Sequence, residues 1–236
     1  MPSSAASLRT TVSDLRKAHG KPQGPPTRDA FELVLLENVA YLATPDRRRA
    51  AFALLKATIG TDPAAILRAT PAQLEQVTAH GILKKRFAAK LRECARLARD
   101  AFDGKLDAVL DASPAQAHRA LRRFPGIGAP GADRILLFSG RLASLAPESN
   151  ALRVLARLGF IDAGAAYAQQ YKAAQHCAAV LPATIAALQE AHLLLRRHGQ
   201  TLCRSAAPLC TECPLRRECA WANPGRRRPA RAAFPV

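Results

Sequence analysis

Four cysteines, Cys203, Cys210, Cys213 and Cys219, are spaced C-x6-C-x2-C-x5-C within the segment CRSAAPLCTECPLRREC. Thiolates this close in sequence can converge on one soft metal centre, folding a loop that has almost no apolar residues of its own. In a reducing compartment, clustered cysteines serve metal binding or catalysis more often than disulfides. Cys94 and Cys177 stand apart on helical patterns and read as buried core thiols. The six histidines are scattered, with no H-x-E or H-E-x-x-H pattern, which argues against zinc hydrolase chemistry. His192 and His198 fall on the helix before the cysteines and read as packing or hydrogen-bonding residues.

A second constellation is FPGIGAPGADRILLF. A helix ends near Phe124, a tight turn follows, and a second helix opens with Pro130 at about its first position. Gly126 and Gly128 permit positive φ and let another backbone approach closely, while Ile127 between them can plug the turn into the core. The amides that follow then point outward at a helix N-terminus, a natural cradle for a phosphate. The charge gives such a cradle a use. Lys and Arg number 35 against 18 Asp and Glu, a formal net charge of +17. Either this is a solvated basic surface or it serves a polyanion partner; at this magnitude we expect nucleic acid.

These groups must be positioned by helices. The 236 residues suffice for one or two domains with a real core, and 49% hydrophobic content suits a globular protein. From Thr27 to about Gly199 apolar residues recur at i, i+3 and i+4, as in FELVLLENVAYL and RAAFALLKATI. Strand runs rich in Val, Ile, Thr and Tyr are missing, so the fold class is all-α. Thr70-Pro71-Ala72-Gln73 and Ser113-Pro114-Ala115-Gln116 each combine a hydroxyl N-cap, Pro at N1 and Gln at N3. Breaks at Thr61-Asp62-Pro63, His80-Gly81 and Phe102-Asp103-Gly104 divide the middle into short helices. Residues 1–26 are polar and end in GKPQGPP, which predicts a disordered basic arm. The tail 222–236, rich in Arg and Pro, predicts a phosphate-seeking extension. The run VLLENVAYLA is too short to span a membrane, and the N-terminus lacks the apolar core of a secretory signal.

The hairpin FPGIGAPGADRILLF resembles that of the endonuclease III-like DNA glycosylases, the helix-hairpin-helix (HhH-GPD) superfamily. That superfamily carries its catalytic aspartate downstream of the hairpin, at the start of a helix. The matching stretch here is LAPESNALRVL, residues 145–155. Its cysteine loop follows a helix ending in His-Gly, matched by His198-Gly199, and has the cysteine spacing found here. The resemblance covers about Thr27 to Trp221. It implies a two-domain all-α fold with a groove between the domains and a [4Fe-4S] cluster on the four cysteines; structural zinc is the other occupant that their spacing allows. The central domain would span 43–144, with the hairpin at 114–138. A discontinuous domain would join 27–42 to 145–221, with the cluster loop at 203–219.

The resemblance further implies base-excision repair: a hydrolase that cleaves the N-glycosidic bond of a damaged or mismatched base in double-stranded DNA. It implies a monomer, at the nucleoid of a bacterial cytoplasm, with no membrane partner. The catalytic aspartate matches Glu148, which can stabilise a cationic sugar and position water; Glu148 can equally be only the cap of the helix SNALRVLARLGF. Where lyase members of the superfamily carry a lysine nucleophile, this chain has Pro130, so a monofunctional enzyme is expected. The DNA backbone would meet Pro125, Gly126, Ile127, Gly128 and Gly131, with Lys84 and Lys85 and the charges of Arg122, Arg123 and Arg134. Ile82 would fill the gap left by a flipped nucleotide, unless it is a core residue. Glu37, Asn38 and Tyr41, with Ser149 and Asn150, would line the base pocket, unless Glu37 and Asn38 face solvent. A non-catalytic lesion-binding protein that retains the fold is the alternative, since Pro130 and Glu148 both depart from the catalytic pattern.

Overall fold

The helix starts follow from side chains that replace missing backbone partners. Thr44, Asp62, Thr70 and Ser113 each precede a proline, and each accepts a hydrogen bond from an amide in the first helical turn. At Thr70 the box closes both ways, Gln73 Oε1 accepting from the Thr70 amide at 2.8 Å. At Ser113 it does not: Gln116 Oε1 lies 3.0 Å from the Ser113 hydroxyl instead. In a computed structural model, which describes residues 7–224, helices are the only regular elements among the described residues. The N-terminal six residues and the tail 225–236 lie outside this range. In chain order the helices are α1 (Leu8–His19), α2 (Ala30–Asn38), α3 (Pro45–Thr58), α4 (Pro63–Arg68), α5 (Pro71–Thr78) and α6 (Lys84–Phe102). There follow α7 (Leu106–Leu110), α8 (Pro114–Leu121), α9 (Ala129–Phe138), α10 (Ser149–Arg157), α11 (Tyr167–Cys177) and α12 (Ile185–Thr201). None of the described helices is long and apolar enough to cross a membrane.

The chain divides into two compact units. One is continuous, Pro25–Leu142; the other joins residues 7–24 to the segment from Ala143 onward. In the continuous unit α6 packs against α2, α4, α5 and α7, and α2 also meets α3, α7 and α9. The sequence of α2, AFELVLLEN, is apolar on nearly every side because it is surrounded: Phe31, Leu33, Val34 and Leu35 are all buried. Phe124, just after α8, is 2% exposed and stacks on Phe102 with centroids 5.6 Å apart. The hairpin is thereby anchored in the core of this unit.

In the discontinuous unit α12 packs against both α10 and α1. Here two expectations give way. Residues 8–19 form a helix rather than a disordered arm. Leu8, Thr11 and Leu15 make one buried stripe, Ser7 caps its start, and Arg9 reaches the Val180 carbonyl at 2.8 Å. The polar composition of this segment belongs to the opposite face, so composition concealed the periodicity. The second change concerns the partition. Helix α2 packs with α6 and with the hairpin helix α9, and it is α1 that joins the segment from Ala143 onward. Replacing Leu15, fully buried on α1, by Ala is expected to destabilise the protein by about 2–5 kcal/mol in urea unfolding. Unaltered stability would mean that α1 is a solvated arm.

Candidate functional site

The hairpin turn is built as its glycines require, but they serve differently. Gly126 has φ +76°, the left-handed region that favours glycine, and a Cβ there would lie 2.9 Å from Asn38 Oδ1. Gly128 is extended, φ −85° and ψ −176°, and precedes α9 as an N-cap that has no side chain. No side chain satisfies the first turn of α9, so its free amides are available to an anion. Gly126 and Gly128 are exposed, Pro125 is half-buried, and Ile127 is plugged in at 5% exposure. Gly131 is buried, where a Cβ would lie 3.4 Å from Ile127 Cγ2; its role is to admit the plug. Pro130 occupies the first turn of α9, where the expected nucleophile is absent.

The basic residues around the turn are not all free. Arg134 donates to both carboxylate oxygens of Glu37, at 2.8 and 2.5 Å, and Arg48 lies 3.9 Å from the same group. One expected pocket residue and one expected phosphate ligand therefore neutralise each other in a half-buried fork. Asn38 is 2% exposed, neither open to solvent nor lining an open pocket. Its Nδ2 donates to the Val34 carbonyl at 3.1 Å while Oδ1 lies against Gly126, so it props the turn. Arg122 and Arg123 are exposed beside the turn, and Arg123 lies over the Phe102 ring.

Two loops of the same unit are locked together. The Ile82 amide donates to the Tyr41 carbonyl at 3.1 Å, and a Cβ on Gly81 would lie 2.5 Å from the Tyr41 nitrogen, so only glycine fits. Tyr41 stacks on Phe87 at 4.8 Å. Ile82 is 52% exposed, which removes the core-residue alternative, and it stands with Leu42 and Leu83, at 72% and 51%. Leu42 and Leu83 both hold positive φ, +52° and +57°. Such backbone costs about 1–2 kcal/mol per non-glycine residue. Neither leucine was legible in the sequence, since an exposed leucine in a strained turn looks like a core leucine. Lys84 and Lys85 are exposed where α6 begins.

In the discontinuous unit Glu148 is the N-cap of α10. Oε1 accepts from the Ala151 amide at 3.0 Å and Oε2 accepts from Asn150 Nδ2 at 2.6 Å. Both oxygens are thus oriented at the start of the helix. The side chain of Asn150 accepts in turn from Arg153 at 2.7 Å, and Arg153 also donates to the carbonyls of Gly199 and Cys203, at 2.7 and 2.9 Å. Asn150 is thereby a positioning residue, while Ser149 is exposed next to it. Gly199 is required because a Cβ there would lie 2.6 Å from the Asn150 carbonyl oxygen.

Cys203, Cys210, Cys213 and Cys219 line one recess, with Leu202, Leu209 and Leu215 among its walls. They stand around it rather than meeting at a point: among the described residues no three His, Cys, Asp or Glu side chains are placed to share one ion. Burial, then neighbouring groups that include the other cysteines, pushes the Cys213 and Cys219 thiols up. A positive centre in the recess would reverse that effect. Arg157 closes the loop, donating to the Arg204 and Ser205 carbonyls and lying 3.4 Å from Cys203 Sγ and 4.9 Å from the Trp221 ring. His198 lies 3.6 Å from Cys213 Sγ. Sequence reasoning missed Arg153 and Arg157, although their spacing of four puts both on one face of α10.

No family model matches the chain. Over 201 residues it is 24% identical to endonuclease III of Sulfolobus acidocaldarius, covering 83% of each chain. Two solved complexes of endonuclease III with DNA are similar in fold, one a trapped covalent intermediate with an estranged adenine and one non-covalent. Their TM-scores are 0.74 and 0.75 at 18% identity, covering 93% and 94% of this chain and 97% of theirs. A thermostable thymine-DNA glycosylase gives 0.70 at 17% identity, over 91% of this chain and 96% of that one. The chain has the all-α helix-hairpin-helix fold of endonuclease III.

Proposed function

We propose that the protein is a DNA glycosylase of base-excision repair. It hydrolyses the N-glycosidic bond of a damaged or mismatched base, with Glu148 as the catalytic carboxylate. The observation that carries this reading is the oriented Glu148 pair of oxygens at the start of α10, in a chain similar over most of its length to endonuclease III. A carboxylate held by Ala151 and Asn150 can stabilise the positive charge that develops on the sugar and accept a proton from the attacking water. Capping and catalysis are compatible, because each oxygen keeps a second lone pair after its hydrogen bond. The free amides at Gly126 and Gly128 would take a DNA phosphate, with Lys84 and Lys85 adding charge, and Ile82 would fill the space of the displaced nucleotide.

Pro130 offers no amine at the hairpin, so we assign hydrolysis without Schiff-base strand cleavage. The recess lined by Cys203, Cys210, Cys213 and Cys219 suits a [4Fe-4S] cluster more than a single zinc ion, because its thiols are spread rather than convergent. Bound there, the cluster would act as a structural clasp for the basic loop. Arg157, His198 and the Leu202, Leu209 and Leu215 walls would hold that loop and limit water around it.

Three outcomes follow. On duplexes carrying single lesions, Glu148→Gln is expected to lower base release by at least about 10²-fold while duplex binding persists. Tight binding without release by the unaltered protein across a broad lesion panel would overturn the enzyme assignment. Borohydride reduction during turnover should trap no covalent DNA adduct; an adduct would place a Schiff-base amine elsewhere. The purified protein should be yellow-brown with iron and sulfide in equal amounts, and Cys213→Ser should lose both. A colourless protein that retains zinc would refute the cluster.

A further inference from the structure

His198 stands between the cysteine recess and helix α1. It is 1% exposed; Nε2 lies 3.6 Å from Cys213 Sγ and Nδ1 lies 3.1 Å from Nε2 of His19. Two imidazole nitrogens 3.1 Å apart can bond only if one carries a proton and the other is bare. A neutral imidazole has one N–H and one bare nitrogen. A thiolate can only accept, so a bond to Cys213 needs the proton on Nε2. That leaves Nδ1 bare, in the form that accepts from His19 Nε2–H. The His19 backbone is itself held, Arg197 donating to its carbonyl at 2.9 Å. The histidine pair thus selects one tautomer of His198 from the side remote from the cysteines.

We propose that His198, its tautomer selected by His19, donates its Nε2 proton to Cys213 Sγ and so raises the reduction potential of the metal centre held by the four cysteines. This rests on the iron–sulfur reading above. A donor at a ligand sulfur draws off negative charge, and the reduced centre, with one more electron, gains more from it than the oxidised one. His198 and His19 are positioning residues, outside the ligand set. Arg157 is a second donor, at Cys203, but it also holds two loop carbonyls, so its removal would disturb the loop itself. The His198 side chain is separable: its backbone carbonyl, which accepts from the Leu202 and Cys203 amides, survives any substitution.

The test is film voltammetry of the metal-loaded protein, with iron and sulfide measured on the same samples. His198→Phe is expected to lower the midpoint potential at unaltered iron and sulfide content, and His198→Gln, whose amide can donate, to recover part of the loss. His19→Phe should shift the potential in the same direction by less. Should His198→Phe fail to retain the centre, His19→Phe decides alone. Wild-type potential in His19→Phe and in every loaded His198 variant overturns the proposal while leaving the cluster intact. Absence of iron and sulfide from the unaltered protein overturns the cluster reading, and this proposal with it.

Discussion

The near contact of Gly199 with the backbone of Asn150 is the constraint on which the discontinuous unit depends. A Cβ would fall 2.6 Å from the Asn150 oxygen, so α10 and α12 can meet at this point only through glycine. That proximity lets Arg153 bridge Asn150 to the Gly199 and Cys203 carbonyls. The bridge in turn sets Asn150 against Glu148 Oε2. A single missing side chain therefore fixes where a carboxylate points and where the cysteine loop leaves its helix. Moving α10 outward by even a methyl radius would disturb both at once, because the same guanidinium serves both.

Charge is distributed with comparable economy. The net charge of +17 is large, yet several cations close to the hairpin are already used in folding. Arg134 and Arg48 share Glu37, and Arg141 bridges Asp107 and Asp111 at 2.8 and 2.7 Å. The half-buried position of the Glu37–Arg134 fork strengthens it, since screening by water is weaker there than at the surface. Arg122, Lys84 and Lys85 are exposed, and their positive charge reaches outward.

Much of the fold was legible because the signals were local. Hydroxyl–proline pairs marked the helix starts at Thr70 and Ser113, and Pro-Gly-Ile-Gly marked the hairpin; each is enforced within a few residues of itself. The cysteine spacing was legible for the same reason. What escaped was set by distant partners. Helix α1 needed Leu8 and Leu15 to be weighed against an α12 that lies far along the chain. The partition of α2 was decided by packing on α6 and α9, which its uniformly apolar sequence does not direct. Glu37 carried the signature of a pocket residue, and only Arg134, on another helix, reveals it as half of an ion pair. Glu148 was legible as a cap, and its side chain accepts from the Ala151 amide as a cap does.

The two units also differ in when they can be completed. Pro25–Leu142 is continuous, so every helix that packs within it has been synthesised once residue 142 has left the ribosome. Helix α1 is made earlier than all of these, yet its packing partner α12 follows the whole of that unit. Until then the stripe of Leu8 and Leu15 has no surface to bury it, and the cysteine recess has no His19 behind its wall. Assembly of the discontinuous unit therefore waits for α12, a long-range closure that follows synthesis of a hairpin domain that can already be folded.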